Sequence, residues 1–241
     1  MEDVVSYLLQ WCKATPDRAV GDEYGNALTA SAYDGTLSIF NLLLSYGASI
    51  DAPEGYPLQI AALNGYKDIV ALLLEKGADP NAFSTSPNMT EGTALQAACV
   101  AGNSDLVKML LKAGADPNKG AGEFKSPLLA AANQGYPEIV ELLLEARADP
   151  NGSNDTALIM SALNGDDNCV RILLEHGADV NLSGKSNGSP LHAAAAAGHI
   201  ETCKLLLSKG ADPKIRAGPY DTVIQAAASS GVPECVGVIL D

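Results

Sequence analysis

The sequence predicts an all-α fold: a solenoid of about seven helix–turn–helix units behind an N-terminal half-unit, with hairpin loops between units. The first observation behind this is a recurring anchor. A Leu or Ile is followed seven residues later by Gly at Leu28/Gly35, Leu58/Gly65, Leu95/Gly102, Leu128/Gly135, Leu158/Gly165, Leu191/Gly198 and Ile224/Gly231. The second is the spacing of those anchors, which is 30, 37, 33, 30, 33 and 33 residues. A fixed period in the range of roughly 20–50 residues is the mark of stacked repeats. The third is composition. The chain is 47% hydrophobic but only 5% aromatic, so its core must come from Leu, Ala, Ile and Val. That suits thin layers of closely packed helices better than one large core.

The half-unit covers residues 1–12. Val4-Val5-Ser6-Tyr7-Leu8-Leu9 overlays the second helix of the later units, with no first helix before it. Trp11 and Cys12 follow it, which suits an N-terminal cap. The alternative is that the chain is a segment of a longer protein, whose other domains would carry activity of their own. The chain closes at Val238-Ile239-Leu240-Asp241, the end of another second helix. The whole of 1–241 reads as a single domain.

In each unit the first helix, helix A, opens on a short polar residue two before the anchor. These are Asn26, Thr93, Ser126, Thr156, Ser189 and Thr222. Such side chains accept hydrogen bonds from the free N–H groups of a helix start. Tyr56 breaks the series. Pro57, Pro127 and Pro190 follow in three units, where a missing N–H costs nothing. A short Ala-rich helix comes next, and the anchor Gly ends it, because a left-handed residue is cheap there. Helix B shows two apolar residues, a spacer and three more, as in Ile69-Val70-Ala71-Leu72-Leu73-Leu74. That is a broad helical stripe. It ends at Gly47, Gly77, Gly114, Gly177 and Gly210. Arg147 takes the place of Gly in one unit, so a less regular helix end is expected there. Ala-Asp-Pro-Asn or a variant then supplies turn chemistry.

Asn187-Gly188-Ser189-Pro190-Leu191-His192-Ala193-Ala194, Gly198-His199, Leu205-Leu206-Leu207 and Gly210-Ala211-Asp212 together resemble the ankyrin-repeat consensus. The resemblance covers nearly the whole chain. Glu23-Tyr24-Gly25-Asn26-Ala27-Leu28 and Thr93-Ala94-Leu95-Gln96-Ala97-Ala98 also resemble repeats common in fungal proteins, where arrays are often attached to NACHT-type signalling ATPases.

The resemblance implies a protein–protein interaction module that binds through a concave face and its hairpin tips. The second expectation is a ligand-sensing or regulatory arm of such an ATPase. It places contacts before the anchor and five and six residues after it. The latter are Tyr33/Asp34, Leu63/Asn64, Val100/Ala101, Asn133/Gln134, Leu163/Asn164, Ala196/Ala197 and Ser229/Ser230. Tyr24, Phe124 and Tyr220 lie four before their anchors, in hairpin loops. Large aromatics in exposed loops are costly unless they pack or bind. The loop 82–92 is an insertion that lengthens one interval to 37 residues, and Phe83 and Met89 are candidates for an apolar grip there.

No enzymatic, cofactor or metal site is expected. The chain holds three histidines and no GxxxxGK[ST], HExxH or GxSxG motif. By the resemblance, His192 and His199 are framework residues that bond backbone. His176 suits a helix end. Cys169, Cys203 and Cys235 fall on apolar helix B positions, and Cys99 lies among helix A alanines. Five cysteines without CxxC argue against a disulfide framework or zinc. Asp79, Asp116, Asp149, Asp179 and Asp212 come one per repeat, as turn residues rather than calcium ligands. A formal net charge of −14 disfavours nucleic acid and anionic membrane, and favours a partner with a basic patch. The expected partner is another protein or another domain of the parent chain. The array itself is expected to be a monomer in the cytoplasm, or in the nucleus.

Overall fold

In a computed structural model, residues 2–18, 25–51, 56–83, 92–121, 124–152 and 156–240 are described. Among them are fifteen α-helices and no β-strand. The chain divides into two units, Met1–Glu123 and Phe124–Asp241.

The first unit holds α1 (Glu2–Gln10), α2 (Ala27–Asp34), α3 (Leu37–Ser45), α4 (Pro57–Leu63), α5 (Lys67–Glu75), α6 (Ala94–Val100) and α7 (Ser104–Lys112). The A helices α2, α4 and α6 pack side by side, and the B helices α1, α3, α5 and α7 form the parallel row. Helix α1 packs on α3 as the expected half-unit. None of its residues is buried, and Val4, Tyr7, Leu8 and Trp11 are exposed.

The second unit holds α8 (Pro127–Asn133), α9 (Pro137–Glu145), α10 (Ala157–Asn164), α11 (Asp167–Glu175), α12 (Pro190–Ala197), α13 (Ile200–Ser208), α14 (Val223–Ser229) and α15 (Pro233–Leu240). The A row is α8, α10, α12 and α14, and the B row is α9, α11, α13 and α15.

The core follows the repeat. Anchors Leu28, Leu58, Leu95, Leu128, Leu158 and Leu191 are buried, as are Ile69, Leu73, Leu106, Leu110, Ile139, Leu143 and Leu173 of the B helices. Alanines fill the contacts between A helices, among them Ala61, Ala97, Ala131, Ala162, Ala194 and Ala226. Small side chains let short helices approach closely, so each layer stays thin. The last anchor differs: Ile224 is 44% exposed, and Val223 beside it is fully buried against the preceding layer.

All six expected caps form. Asn26, Thr93, Ser126, Thr156, Ser189 and Thr222 each accept a hydrogen bond from the backbone N–H three residues on. Each satisfies an N–H that the helix itself cannot. Tyr56 makes no such bond.

The expectation of an irregular helix end at Arg147 is not met. Arg147 adopts φ 69, in the same left-handed region as Gly77 at φ 90 and Gly114 at φ 90. The closing bond from Ala148 N–H to the Leu143 carbonyl is 2.9 Å, beside 3.0 Å for Ala78 to Leu73. Packing and the closing bond impose the conformation, and the arginine accepts its backbone strain.

Candidate functional site

The surface available to a partner is set by three local devices. In five of the turns an aspartate accepts an N–H from two residues on, as the turn reading requires. Asp79 binds Asn81, Asp116 binds Asn118, Asp149 binds Asn151, Asp179 binds Asn181 and Asp212 binds Lys214, all at 2.9 Å.

The asparagine of the turn then ties one repeat to the next. The Asn81 Nδ2 donates to the Gly114 carbonyl at 3.0 Å, and its Oδ1 accepts from Asp116 N–H at 2.7 Å. Asn151 does the same with Gly177 and Asp179, at 3.2 and 2.9 Å. Asn181 does so with Gly210 and Asp212, at 3.3 and 2.8 Å. An amide suits this role because it offers a donor and an acceptor side by side. The sequence alone marks these asparagines only as turn residues.

The third device lies at the residue after the anchor Gly, which reaches back over the preceding repeat. A Cβ on Gly35 would lie 2.5 Å from the Tyr66 ring, and one on Gly165 2.8 Å from the His199 ring. The His199 Nε2 bonds the Leu163 carbonyl at 3.0 Å, the backbone role expected of it.

On this frame the positions expected to contact a partner fall as follows. In the Met1–Glu123 unit, Tyr33 and Asp34 end α2, Leu63 and Asn64 end α4, and Val100 ends α6, so one row of helix ends carries all five. Tyr33 is 45% exposed. Asp34 and Asn64 are exposed, while Leu63 and Val100 are half-buried. Phe83, 37% exposed, stands in the hairpin after α5. Tyr24 and Met89 lie outside the described residues.

In the Phe124–Asp241 unit, Asn133 and Gln134 end α8, and Leu163 and Asn164 end α10. Here the positions are partly structural. The Asn164 Nδ2 donates to the Asn133 carbonyl at 2.9 Å, and Leu163 is half-buried. Phe124 is half-buried at the turn before α8. Tyr220 is 38% exposed in a hairpin where Arg216 Nε donates to Asp221 at 3.1 Å.

The titrating groups mostly serve packing. Cys99, Cys169, Cys203 and Cys235 are buried. Burial raises all four thiols, Cys169 to about 11 and Cys203, which also faces Cys235, to about 12. Such thiols carry little thiolate and are poor nucleophiles or ligands. The Lys67 hydrogen bond at 3.0 Å holds Asp105 below the usual carboxylate range. Burial raises Asp166, and the nearby His199 offsets part of that.

His192 is buried with Nδ1 3.3 Å from the Ser189 N–H it accepts, closing a capping box. Its Nε2 has no partner within hydrogen-bond distance among the described residues. Burial lowers its pKa, and the neighbouring Asp221 opposes the shift only in part. Among the described residues no group of His, Cys, Asp and Glu could hold a metal ion, and no helix is long and apolar enough to cross a membrane.

Comparison with known proteins bears on this frame directly. The family described as ankyrin repeats (3 copies) matches residues 1–84 and 128–217, and a second, ankyrin repeats (many copies), matches residues 58–111. The chain is 44% identical over 59 residues to an ankyrin repeat and KH domain-containing protein of Caenorhabditis briggsae, across 23% of this chain and 2% of that protein. The match therefore spans a small fraction of that relative's length. The crystal structure of the human ASB11 ankyrin repeat domain superposes with a TM-score of 0.75 at 28% identity, covering 89% of this chain and 97% of that one. Neither relative supports the fungal subtype or the attached ATPase expected from the sequence. The repeat frame, its caps and its turns place this chain among the ankyrin-repeat proteins, and it belongs to that family.

Proposed function

We propose that the array binds a partner protein through the ends of its A helices and the adjoining hairpins, and that the partner offers a basic surface. Ankyrin-repeat domains are in general protein-binding modules, and chemistry would have to come from other groups than those described. The observation that carries the reading is the exposure of large side chains at an A-helix end and in hairpins: Tyr33 at 45%, Tyr220 at 38% and Phe83 at 37%. Tyrosine and phenylalanine bury large areas at low entropic cost, and tyrosine is favoured at interface hot spots. The net charge of −14 favours encounter with a basic surface. The array acts as a monomer, and the partner is another protein or another domain of the same polypeptide.

Affinity capture with the full chain, followed by calorimetric titration of the captured protein, tests this. Tyr33→Ala, and Phe83→Ala combined with Met89→Ala, should each weaken binding by about 1–2 kcal/mol and leave the melting temperature nearly unchanged. An unaltered dissociation constant in both variants would sink the assignment.

A further inference from the structure

We propose that the cavity bounded by Asp51, Tyr56, Gln59, Asp79 and Phe83 receives an arginine side chain presented by a protein partner. This rests on the protein-binding reading above and names the chemistry of one contact within it.

Two rules of the framework are broken at this one place. Asp51 stands in its turn where Asn81, Asn151 and Asn181 stand in theirs. Those three each donate to one neighbour and accept from another. A carboxylate cannot donate, so the Asp51 side chain cannot make the bond that each of those amides donates. Tyr56 stands where six other A helices carry a capping side chain, and it caps nothing. Each departure forgoes framework hydrogen bonds, and both side chains line the same cavity of about 240 Å³. Local rules broken together at one spot point to function rather than drift.

The lining asks for a planar donor. Asp51 and Asp79 bring two exposed carboxylates. Gln59 is only 3% exposed. Its Nε2 donates to the Ala82 carbonyl at 2.8 Å, while its Oε1 takes no bond among the described residues. The equivalent Gln96 uses both atoms, donating to Ala121 O at 2.9 Å and accepting from Ala121 N–H at 3.2 Å. So the described lining offers an acceptor that takes no donor among the described residues, beside two carboxylates and no basic side chain. Tyr56 and Phe83 add two aromatic rings. A guanidinium meets all of this at once: it is planar and charged, carries five N–H donors and stacks on aromatic faces. An ammonium satisfies the carboxylates but cannot stack, so lysine should bind more weakly.

The test is an NMR titration of the ¹⁵N-labelled full chain with N-acetylarginine amide, with the neutral isostere N-acetylcitrulline amide and N-acetyllysine amide as controls. The arginine probe should give saturable shifts at the amides around Asp51, Gln59 and Asp79. Citrulline should give none, and lysine should bind several-fold more weakly. Asp51→Asn should weaken the arginine probe at least five-fold while raising the melting temperature, because the amide restores the missing tie between turns. Phe83→Ala should weaken it with no thermal change. The opposite signs for Asp51→Asn separate loss of the site from loss of the fold. Absence of shifts at the cavity, equal binding of citrulline, or unchanged affinity in Asp51→Asn would overturn the proposal. Partner capture that survives Asp51→Asn but is lost in Tyr33→Ala would also overturn it, leaving the protein-binding reading intact. Probe binding without any captured partner would support the pocket and count against the broader reading alone.

Discussion

The two units use one architecture under different constraints. In Phe124–Asp241 every A helix starts on a capping hydroxyl, from Ser126, Thr156, Ser189 and Thr222. Two successive turns there are tied by Asn151 and Asn181, and His199 props the preceding repeat through Leu163. In Met1–Glu123, α4 starts on Tyr56 without a cap, and the turn before it carries Asp51 in place of the tying amide. The half-unit turn carries Asp17, which only accepts, from Ser49 N–H at 2.8 Å. The exposed Tyr33 and Phe83 belong to that same unit. Regularity therefore concentrates where side chains serve the frame. The second unit keeps its caps and ties, and its exceptions, Arg147 and the exposed Tyr220 and Ile224, lie outside them.

The comparison can be broken most forcefully at the core. Leu128 in α8 is 2% exposed. Leu128→Ala should cost roughly 2–5 kcal/mol, the price of a buried cavity. A thermal shift near zero would contradict the repeat register on which both units depend.

The turn ties come next. Asn181→Ala removes both bonds to the following repeat and should cost about 1–2 kcal/mol by chemical denaturation, at the net worth of two hydrogen bonds. Asp51→Ala has no such bonds to lose and should leave stability nearly unchanged. Equal losses in the two variants would erase the distinction between the units.

His192 gives the Phe124–Asp241 unit a pH dependence at a position where the other unit carries Thr29, Gln59 and Gln96. Burial lowers the His192 pKa below its ordinary 6.5, so the folded state prefers neutral imidazole. This contribution to stability is complete above pH about 6.5 and is lost as the pH falls through the depressed folded value. Melting temperatures between pH 7.5 and 5 should fall less in His192→Gln than in the parent. Gln225 already closes a capping box at the equivalent position, so the substitution keeps the cap. Identical pH profiles would remove His192 as the source.

The smallest effect is expected at Arg147. Its left-handed φ of 69 suits glycine, and Arg147→Gly should raise stability by up to about 1 kcal/mol. A loss on that change would show that the arginine side chain contributes more than its backbone strain costs.

Much of the frame was legible beforehand because its signals are local. A cap binds an N–H three residues on, a turn aspartate binds one two residues on, and an apolar stripe repeats within one helix. Those patterns placed the fifteen helices, the six caps, the five turn aspartates and the break at Tyr56. The positions expected to contact a partner differ in exposure. Leu63, Val100 and Leu163 share the spacing of exposed positions but sit half-buried against neighbouring repeats. Asn164 spends its amide on the repeat before it.

What the sequence determined by itself was the period, the helix pair within each period and the all-α stack they require, since each rests on neighbours a few residues apart. Tertiary structure alone decided which amides tie successive turns, that Arg147 would be held in a glycine conformation, and that Asp51, Tyr56, Gln59, Asp79 and Phe83 would enclose one cavity. The reason is reach. Asn81 meets Asp116 across 35 positions and Gln59 meets Ala82 across 23, and such partners become neighbours only once adjacent repeats have stacked.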